Sequence, residues 1–172
     1  MSNASIDSAK LVGQIEEYLN ALSSLLDKCD LPPTAEIKRG IGKIGRDNGY
    51  LACATDFPRP KCQEWLYDLI WYRNTRDHHL EELIMVLESE WSRDLEEILY
   101  DFEKLLIAKA PIKVMIFQDH NDDLDTLWAM LAKGIRTFRS PDPGETYLLA
   151  AYREEIHSFV IKRGNHVEIF GV

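Results

Sequence analysis

The sequence has few features that would stabilise the chain apart from a hydrophobic core. It contains only three cysteines in 172 residues, with no CxxC spacing. We therefore expect a reduced setting and no disulfide framework. No apolar run reaches the ~18 residues of a membrane span, and the polar N-terminus shows no signal-peptide pattern. We therefore expect a cytoplasmic protein with no membrane partner.

Positive charge is also scarce. Lysine and arginine number 20 against 29 acids, which gives a net charge of −9. This balance argues against a protein that coats nucleic acid through bulk charge, although a local basic patch could still contact a few phosphates. The absence of a GxxxxGK[ST] loop argues against a P-loop phosphotransferase. His78 and His79 with Cys53 and Cys62 fit no standard zinc site.

What the chain does contain predicts one α/β domain over residues 1–172. Hydrophobic residues make up 45% and charged residues 28%, which is ordinary for a globular protein. We divide it into an N-terminal helix (1–33), a core (34–117) and a helix with a closing hairpin (118–172). Apolar periodicity predicts a single mixed β-sheet flanked by helices. The predicted helices span 6–28, 35–47, 93–109 and 122–137, and the predicted strands span 50–55, 64–73, 82–91, 112–117, 147–153 and 158–162.

Three local expectations accompany these elements. Ser92 is a candidate cap for the helix over 93–109. The usual right-handed crossover would place the strand 112–117 beside Val86 and Leu87. The glycines of the second helix either weaken it or permit close packing on the sheet.

The segment 82–91 is an apolar run that ends in two acids. Side chains alternate along a strand, so Ile84, Val86, Glu88 and Glu90 are expected on one face. Two carboxylates would then lie side by side where the buried strand leaves the core. Holding both charges there costs free energy unless a cation or a proton compensates them. The pattern indicates metal binding or acid–base chemistry; the alternative is a solvated strand end.

Asp68 lies inside another apolar segment, between Tyr67 and Leu69. A hairpin would bring it opposite Glu88 or Glu90, so that three acids converge. Oxygen-only clusters of this kind suit Mg²⁺ or Mn²⁺. The alternative is an ion pair between Asp68 and a nearby arginine.

Lys104 lies on the helix predicted to follow this strand. If that helix packs back across the sheet, its ammonium can reach the acidic end and orient a water or neutralise a phosphoryl group. The alternative is a lysine on the helix surface.

Asp68, a hairpin and a strand that ends in Glu88 resemble the signature of the PD-(D/E)xK nuclease superfamily. The helix–strand–strand–strand–helix–strand order of residues 35–117 resembles its restriction-endonuclease-like core. Glu90 stands where that signature has lysine. Some members carry the lysine on the following helix, and Lys104 would be such a migrated residue.

The resemblance implies metal-dependent hydrolysis of phosphodiester bonds in DNA or RNA. It implies Mg²⁺ or Mn²⁺ held by Asp68, Glu88 and Glu90, with Lys104 assisting the reaction. Some members also carry an acid on the first core helix, where Glu36 is the candidate; a first-turn acid favoured by the helix dipole is the alternative. The altered motif leaves open a degenerate site.

A basic stripe and the overall acidity point to different partners. Lys38, Arg39, Lys43 and Arg46 recur on one side of the second helix, and they are the best candidates for phosphate contacts; a solvated face is the alternative. The alternative function is a catalytically inactive α/β module whose acidic surface binds a basic protein. Exposed strands at the sheet edge would permit a homodimer.

Overall fold

The computed structural model describes residues 6–23, 33–55, 65–92, 94–119, 124–139 and 144–165. The described elements have the following bounds: α1 Ser8–Ser23, α2 Pro33–Asp47, β1 Leu51–Cys53, β2 Leu69–Asn74, β3 Leu80–Glu90, α3 Leu95–Ile107, β4 Ile112–Asp119, α4 Leu124–Thr137, β5 Thr146–Arg153 and β6 Ser158–Asn165.

The strands form one mixed sheet in the order β1-β2-β3-β4-β5-β6. The pairs β3/β4 and β4/β5 are parallel, and the outer pairs are antiparallel. Parallel neighbours need a crossover, which α3 and α4 provide. The predicted class, an α/β fold with helices on both faces of a mixed sheet, is confirmed, as is the placement of β4 beside Val86 and Leu87.

Two apolar layers enclose the sheet. Helices α1 and α2 pack on one face, around Ile15, Ile41 and Trp71. Helices α3 and α4 pack on the other face, around Phe102 and Leu131. The central strands are buried on both faces, which explains their nearly continuous apolar sequences.

Two predictions about where elements begin are wrong. Residues 65–68 are not in a strand: β2 begins at Leu69, so that Asp68 precedes it. Ser92 does not cap α3; the side chain of Asp94 does, by accepting a hydrogen bond from the backbone N–H of Glu96. Asp accepts such bonds as readily as Ser, so the two were equivalent on sequence grounds.

Ile84 and Val86 lie on opposite faces of β3, against the prediction from simple alternation. The β2–β3 register runs from Trp71↔Met85 to Tyr72↔Leu83, and Ile84 is the extra residue of this irregularity. A bulge of this kind shifts the side-chain alternation by one position. Ile84 therefore packs with the α1–α2 layer while Val86 packs with the α3–α4 layer.

Two further findings bear on the sequence analysis. Cys53 is disulfide-bonded, and the other two cysteines lie outside the described residues. We expected no disulfide framework and a reduced setting from the three cysteines and the missing CxxC spacing, and neither observation excludes a single disulfide bond. Within the described ranges, no helix has the length and apolar character needed to cross a membrane.

The glycines of α2 allow close packing, which was one of two interpretations of their frequency. A Cβ on Gly45 would lie 2.5 Å from the indole nitrogen of the fully buried Trp71. Gly40 likewise leaves room for the ring of Tyr18. These glycines lower the helix propensity of α2, but they allow the helix to pack closely against Trp71 and Tyr18.

We predict that Gly45→Ala destabilises the protein by about 1–2 kcal/mol, because the overlap with Trp71 outweighs the helix propensity gained. Gly13→Ala in α1 is the matched control, since its Cβ would meet only the end of the Arg163 side chain at 3.9 Å. The control should stabilise the protein by up to ~1 kcal/mol. Urea unfolding of both variants measures the difference; equal effects would contradict the packing argument.

Candidate active site

The register of the β2–β3 hairpin brings Asp68 to Glu88. Leu69 pairs with Leu87, so the next antiparallel position places Asp68 beside Glu88. One carboxylate oxygen of Asp68 accepts a hydrogen bond from the backbone N–H of Ser89 at 2.8 Å. Although Asp68 precedes its strand, its side chain is thus fixed to the end of β3.

Helix α3 supplies a cation to Glu88. The Nζ atom of Lys104 lies 2.5 Å from Oε1 of Glu88 and 3.2 Å from Oδ1 of Asp101. The Lys104 side chain is 29% exposed and reaches Glu88 from the border of α3, whose buried side carries Phe102 and Leu105. The structure therefore brings together Asp68, Glu88 and Lys104, which the sequence analysis singled out, and adds Asp101.

Helix α2 supplies a second cation from the other face of the sheet. The Nζ atom of Lys38 lies 2.9 Å from Oδ1 of Asp68, and its side chain is only 8% exposed. Sequence reasoning placed Lys38 in the surface stripe instead. A usable signal was its position: Lys38 is three and seven residues before Ile41 and Gly45, which places it on the buried side of the helix.

Burial dominates the electrostatics of Glu88, which is 3% exposed. Desolvation raises the pKa of Glu88 to about 8, and the opposing effect of Lys104 does not cancel it. The charges of Asp101 and Asp68 contribute to this rise. The carboxylate therefore lies in a place where one lysine is too little positive charge for full ionisation at neutral pH.

The pKa of Lys104 changes in the opposite sense from what burial alone would cause. Desolvation lowers it, but the hydrogen bonds and charges of Glu88 and Asp101 outweigh that effect, and the net shift is upward. Lys104 thus keeps its proton through the physiological range.

Tyr67 also contacts this group of residues. Burial and the charge of Glu88 raise the pKa of Tyr67, and its hydroxyl donates a hydrogen bond to the backbone carbonyl of Lys104 at 3.4 Å.

The surroundings of Glu90 differ from those of Glu88. One of its oxygens accepts a hydrogen bond from the N–H of Ser92 at 2.5 Å. Burial raises its pKa, and the acids of α3 add to this. Glu90 lines an open cleft of about 600 Å³ at the start of α3, together with Asp94, Glu96, Glu97, Tyr100 and Asp101.

Asp68 and Glu88 have the oxygen ligands that a hard divalent cation prefers. Among the residues described by the structure, no three His, Cys, Asp or Glu side chains are grouped as a metal site. Mg²⁺, however, keeps several waters and commonly takes only one or two protein carboxylates. The two acids supply such oxygen ligands, and the raised pKa of Glu88 is what a carboxylate short of positive charge shows. Glu90 as a third ligand stays a prediction.

The remaining predicted residues lie on the outer side of α2. Glu36 pairs with Arg39 at 2.9 Å, as a first-turn acid can. Lys43 pairs with Asp47 at 2.5 Å. The side chains of Arg39 and Lys43 are 63% and 70% exposed. With Arg46 they form a surface row at i, i+4 and i+7, which we call the α2 stripe.

A second ion pair is enclosed at the other end of the sheet. Lys113, at the start of β4, lies 2.7 Å from Glu145, and the hydroxyl of Tyr147 donates to Glu145 at 2.9 Å. The side chains of Lys113 and Glu145 are 0% and 7% exposed. Because solvent does not reach it, this pair has the character of a structural element rather than of a reaction site.

Comparisons with known proteins leave the family open. No protein-family model matches the chain, and no curated protein is similar to it. Among solved structures, the chain is similar to a carbon-nitrogen hydrolase from Helicobacter pylori G27, with 10% identity and a TM-score of 0.36. That likeness covers 95% of this chain and 79% of the hydrolase.

Glu88→Gln should change how stability depends on pH. The folded pKa of Glu88, about 8, lies above its ordinary value of 4.5. Its contribution to stability is therefore fully present below pH 4.5 and is lost as pH rises towards 8. Glutamine does not titrate, so between pH 5 and 8 the wild type should lose roughly 2–4 kcal/mol relative to the variant.

Denaturant unfolding at pH 5, 6, 7 and 8 measures this difference. The exposed Glu103→Gln on α3 is the control, and its stability should follow the wild type at each pH. The pKa of Glu90 is also raised, but Glu90 is present in all three proteins, so it contributes equally to their pH dependence. Parallel pH profiles for the wild type and Glu88→Gln would show that Glu88 titrates normally.

Proposed function

We propose that the protein is a metal-dependent nuclease-like hydrolase of the PD-(D/E)xK type, which cleaves phosphodiester bonds in DNA or RNA. The observation that carries the proposal is the buried Glu88, held by Lys104 from the following helix beside Asp68 from the preceding strand end. Burying a carboxylate costs free energy. A role for Glu88 in binding a cation would explain why a carboxylate is buried there.

Each residue has a distinct role in this proposal. Asp68 and Glu88 would hold Mg²⁺ or Mn²⁺, which supplies an acidified water and shields the charge of the phosphodiester. Lys104 keeps its proton, so its ammonium offers fixed positive charge for a phosphoryl oxygen. Asp101 orients that ammonium from 3.2 Å. Glu90 borders the site and is the third candidate ligand.

The order of elements supports the same proposal. The series α2, β1, β2, β3, α3, β4 follows the helix–strand–strand–strand–helix–strand order of the restriction-endonuclease-like core. Glu90 occupies the usual place of the lysine. Lys104 restores an ammonium to Glu88 from one element further along the chain, as a migrated lysine would.

Charge favours an approach of nucleic acid along α2. The cleft at the start of α3 is lined by five carboxylates, which repel phosphates. The α2 stripe lies on the helix that carries Lys38 into the site, and it is exposed. Its ion pairs with Glu36 and Asp47 lie on the surface and contribute little stability, so phosphates can replace them.

We expect hydrolysis of nucleic acid that depends on Mg²⁺ or Mn²⁺ and that falls at least about 100-fold in Asp68→Asn, Glu88→Gln and Lys104→Met. Labelled single- and double-stranded DNA and RNA serve as substrates. Lys109→Met, which removes an exposed lysine just after α3, is the matched control for Lys104→Met and should retain activity. Equal activity in all of these variants would contradict the proposal.

The cleft at α3 favours a second candidate, a catalytically inactive module that binds a basic protein. Its carboxylates surround Tyr100, which is 68% exposed, and such surfaces attract basic partners. Thermal unfolding with Mg²⁺ or Mn²⁺ separates the two candidates. Metal should stabilise the wild type but not Asp68→Ala if the site is a nuclease site; equal shifts, or none, favour the binding module.

Reversing charge in the α2 stripe should weaken the binding of nucleic acid. In the Glu88→Gln background, which prevents cleavage, Arg39→Glu with Lys43→Glu should reduce affinity about tenfold or more and lower the salt slope by about 1–2. Lys133→Glu, on α4 in the opposite layer, is the control. Fluorescence anisotropy over a range of salt measures both quantities; identical salt slopes would exclude an approach along α2.

A further inference from the structure

Lys38 is the charged residue of the site that neither the sequence motif nor the proposed roles explain. This inference rests on the proposed function. We propose that Lys38 is a positioning residue that acts as an internal counter-cation: it holds Asp68 while the site contains no metal, and it competes with a divalent metal ion for that carboxylate.

The burial of Lys38 indicates that its position is specific. Lysine side chains normally extend into solvent, but that of Lys38 is 8% exposed and ends 2.9 Å from Oδ1 of Asp68. Its neighbour Arg39 is 63% exposed. An ammonium so deeply enclosed is costly unless a carboxylate compensates it, so Lys38 and Asp68 depend on each other.

Asp68 is held from two directions. Lys38 contacts one oxygen, and the backbone N–H of Ser89 donates to the other. Both oxygens thus point towards groups that fix the carboxylate at the end of β3. A metal ion that binds Asp68 therefore meets an existing cation, and the repulsion between the two charges lowers its affinity.

Lys104 and Lys38 differ in this respect. Lys104 pairs with Glu88 and also with Asp101, so it keeps a partner on its own helix when Glu88 binds metal. Lys38 instead ends against Asp68, which is itself a proposed ligand.

Metal affinity in the absence of nucleic acid tests the inference. Mg²⁺ and Mn²⁺ are titrated at pH 8 into the wild type, Lys38→Met, Lys38→Arg and Arg39→Met, with isothermal calorimetry as the readout. Lys38→Met should bind metal about five- to tenfold more tightly, in the lower range of measured coupling between two ligands. Lys38→Arg keeps the charge and should resemble the wild type, and Arg39→Met should stay within about twofold.

Tighter binding separates this role from a purely structural one, because a variant that only damages the site binds metal more weakly. An affinity of Lys38→Met that equals that of Arg39→Met, or falls below the wild type, overturns the inference while metal binding by the wild type leaves the proposed function intact. If the wild type binds neither metal, the proposed function fails, and this inference fails with it.

A variant with both charges removed guards against misfolding. If Lys38→Met does not fold, as judged by circular dichroism, Lys38→Gln replaces it, since the amide can still donate to Asp68. Lys38→Met with Asp68→Asn leaves no unpaired buried charge. Relative to Asp68→Asn alone, it should show no gain in metal affinity; a gain there would mean that Lys38 acts other than through Asp68 and would overturn the inference.

Discussion

The buried carboxylate of Glu88 is the constraint on which the site depends. It is 3% exposed, and β3 carries it to the rim of the sheet, just after the fully buried Val86 and Leu87. Water cannot solvate it fully, so other chain segments must supply positive charge. Lys104 supplies this charge from α3, and Glu88 and Asp101 together keep that lysine protonated. The position of α3 over the sheet is therefore set by charge as well as by its apolar side.

Much of the architecture was predictable because it follows from periodicity. The mixed sheet, its helical layers and the parallel placement of β4 beside β3 come from apolar runs and crossover rules. Local endings were less predictable. The bulge at Ile84 and the start of β2 at Leu69 depend on pairing across the hairpin, and no single strand's sequence contains that information.

The residues of the candidate site were likewise predictable only in part. Asp68 and Glu88 were found because acids in apolar runs are anomalies, and Lys104 because it lies on the helix that returns over them. Lys38 was missed because it was assigned to the same side of α2 as Arg39, although its spacing to Ile41 and Gly45 places it on the buried side. Asp101 was missed because its role, holding Lys104, exists only once the helix has packed.

The two lysines reach the rim from opposite layers of the molecule. Lys38 belongs to the α1–α2 layer and Lys104 to the α3–α4 layer, and they meet acids at adjoining positions of one hairpin. A ligand bound there would link both layers across the sheet edge. Its binding free energy would then oppose the local opening of either helix, so amide hydrogens far apart in sequence, on α2 and on α3, would exchange more slowly together.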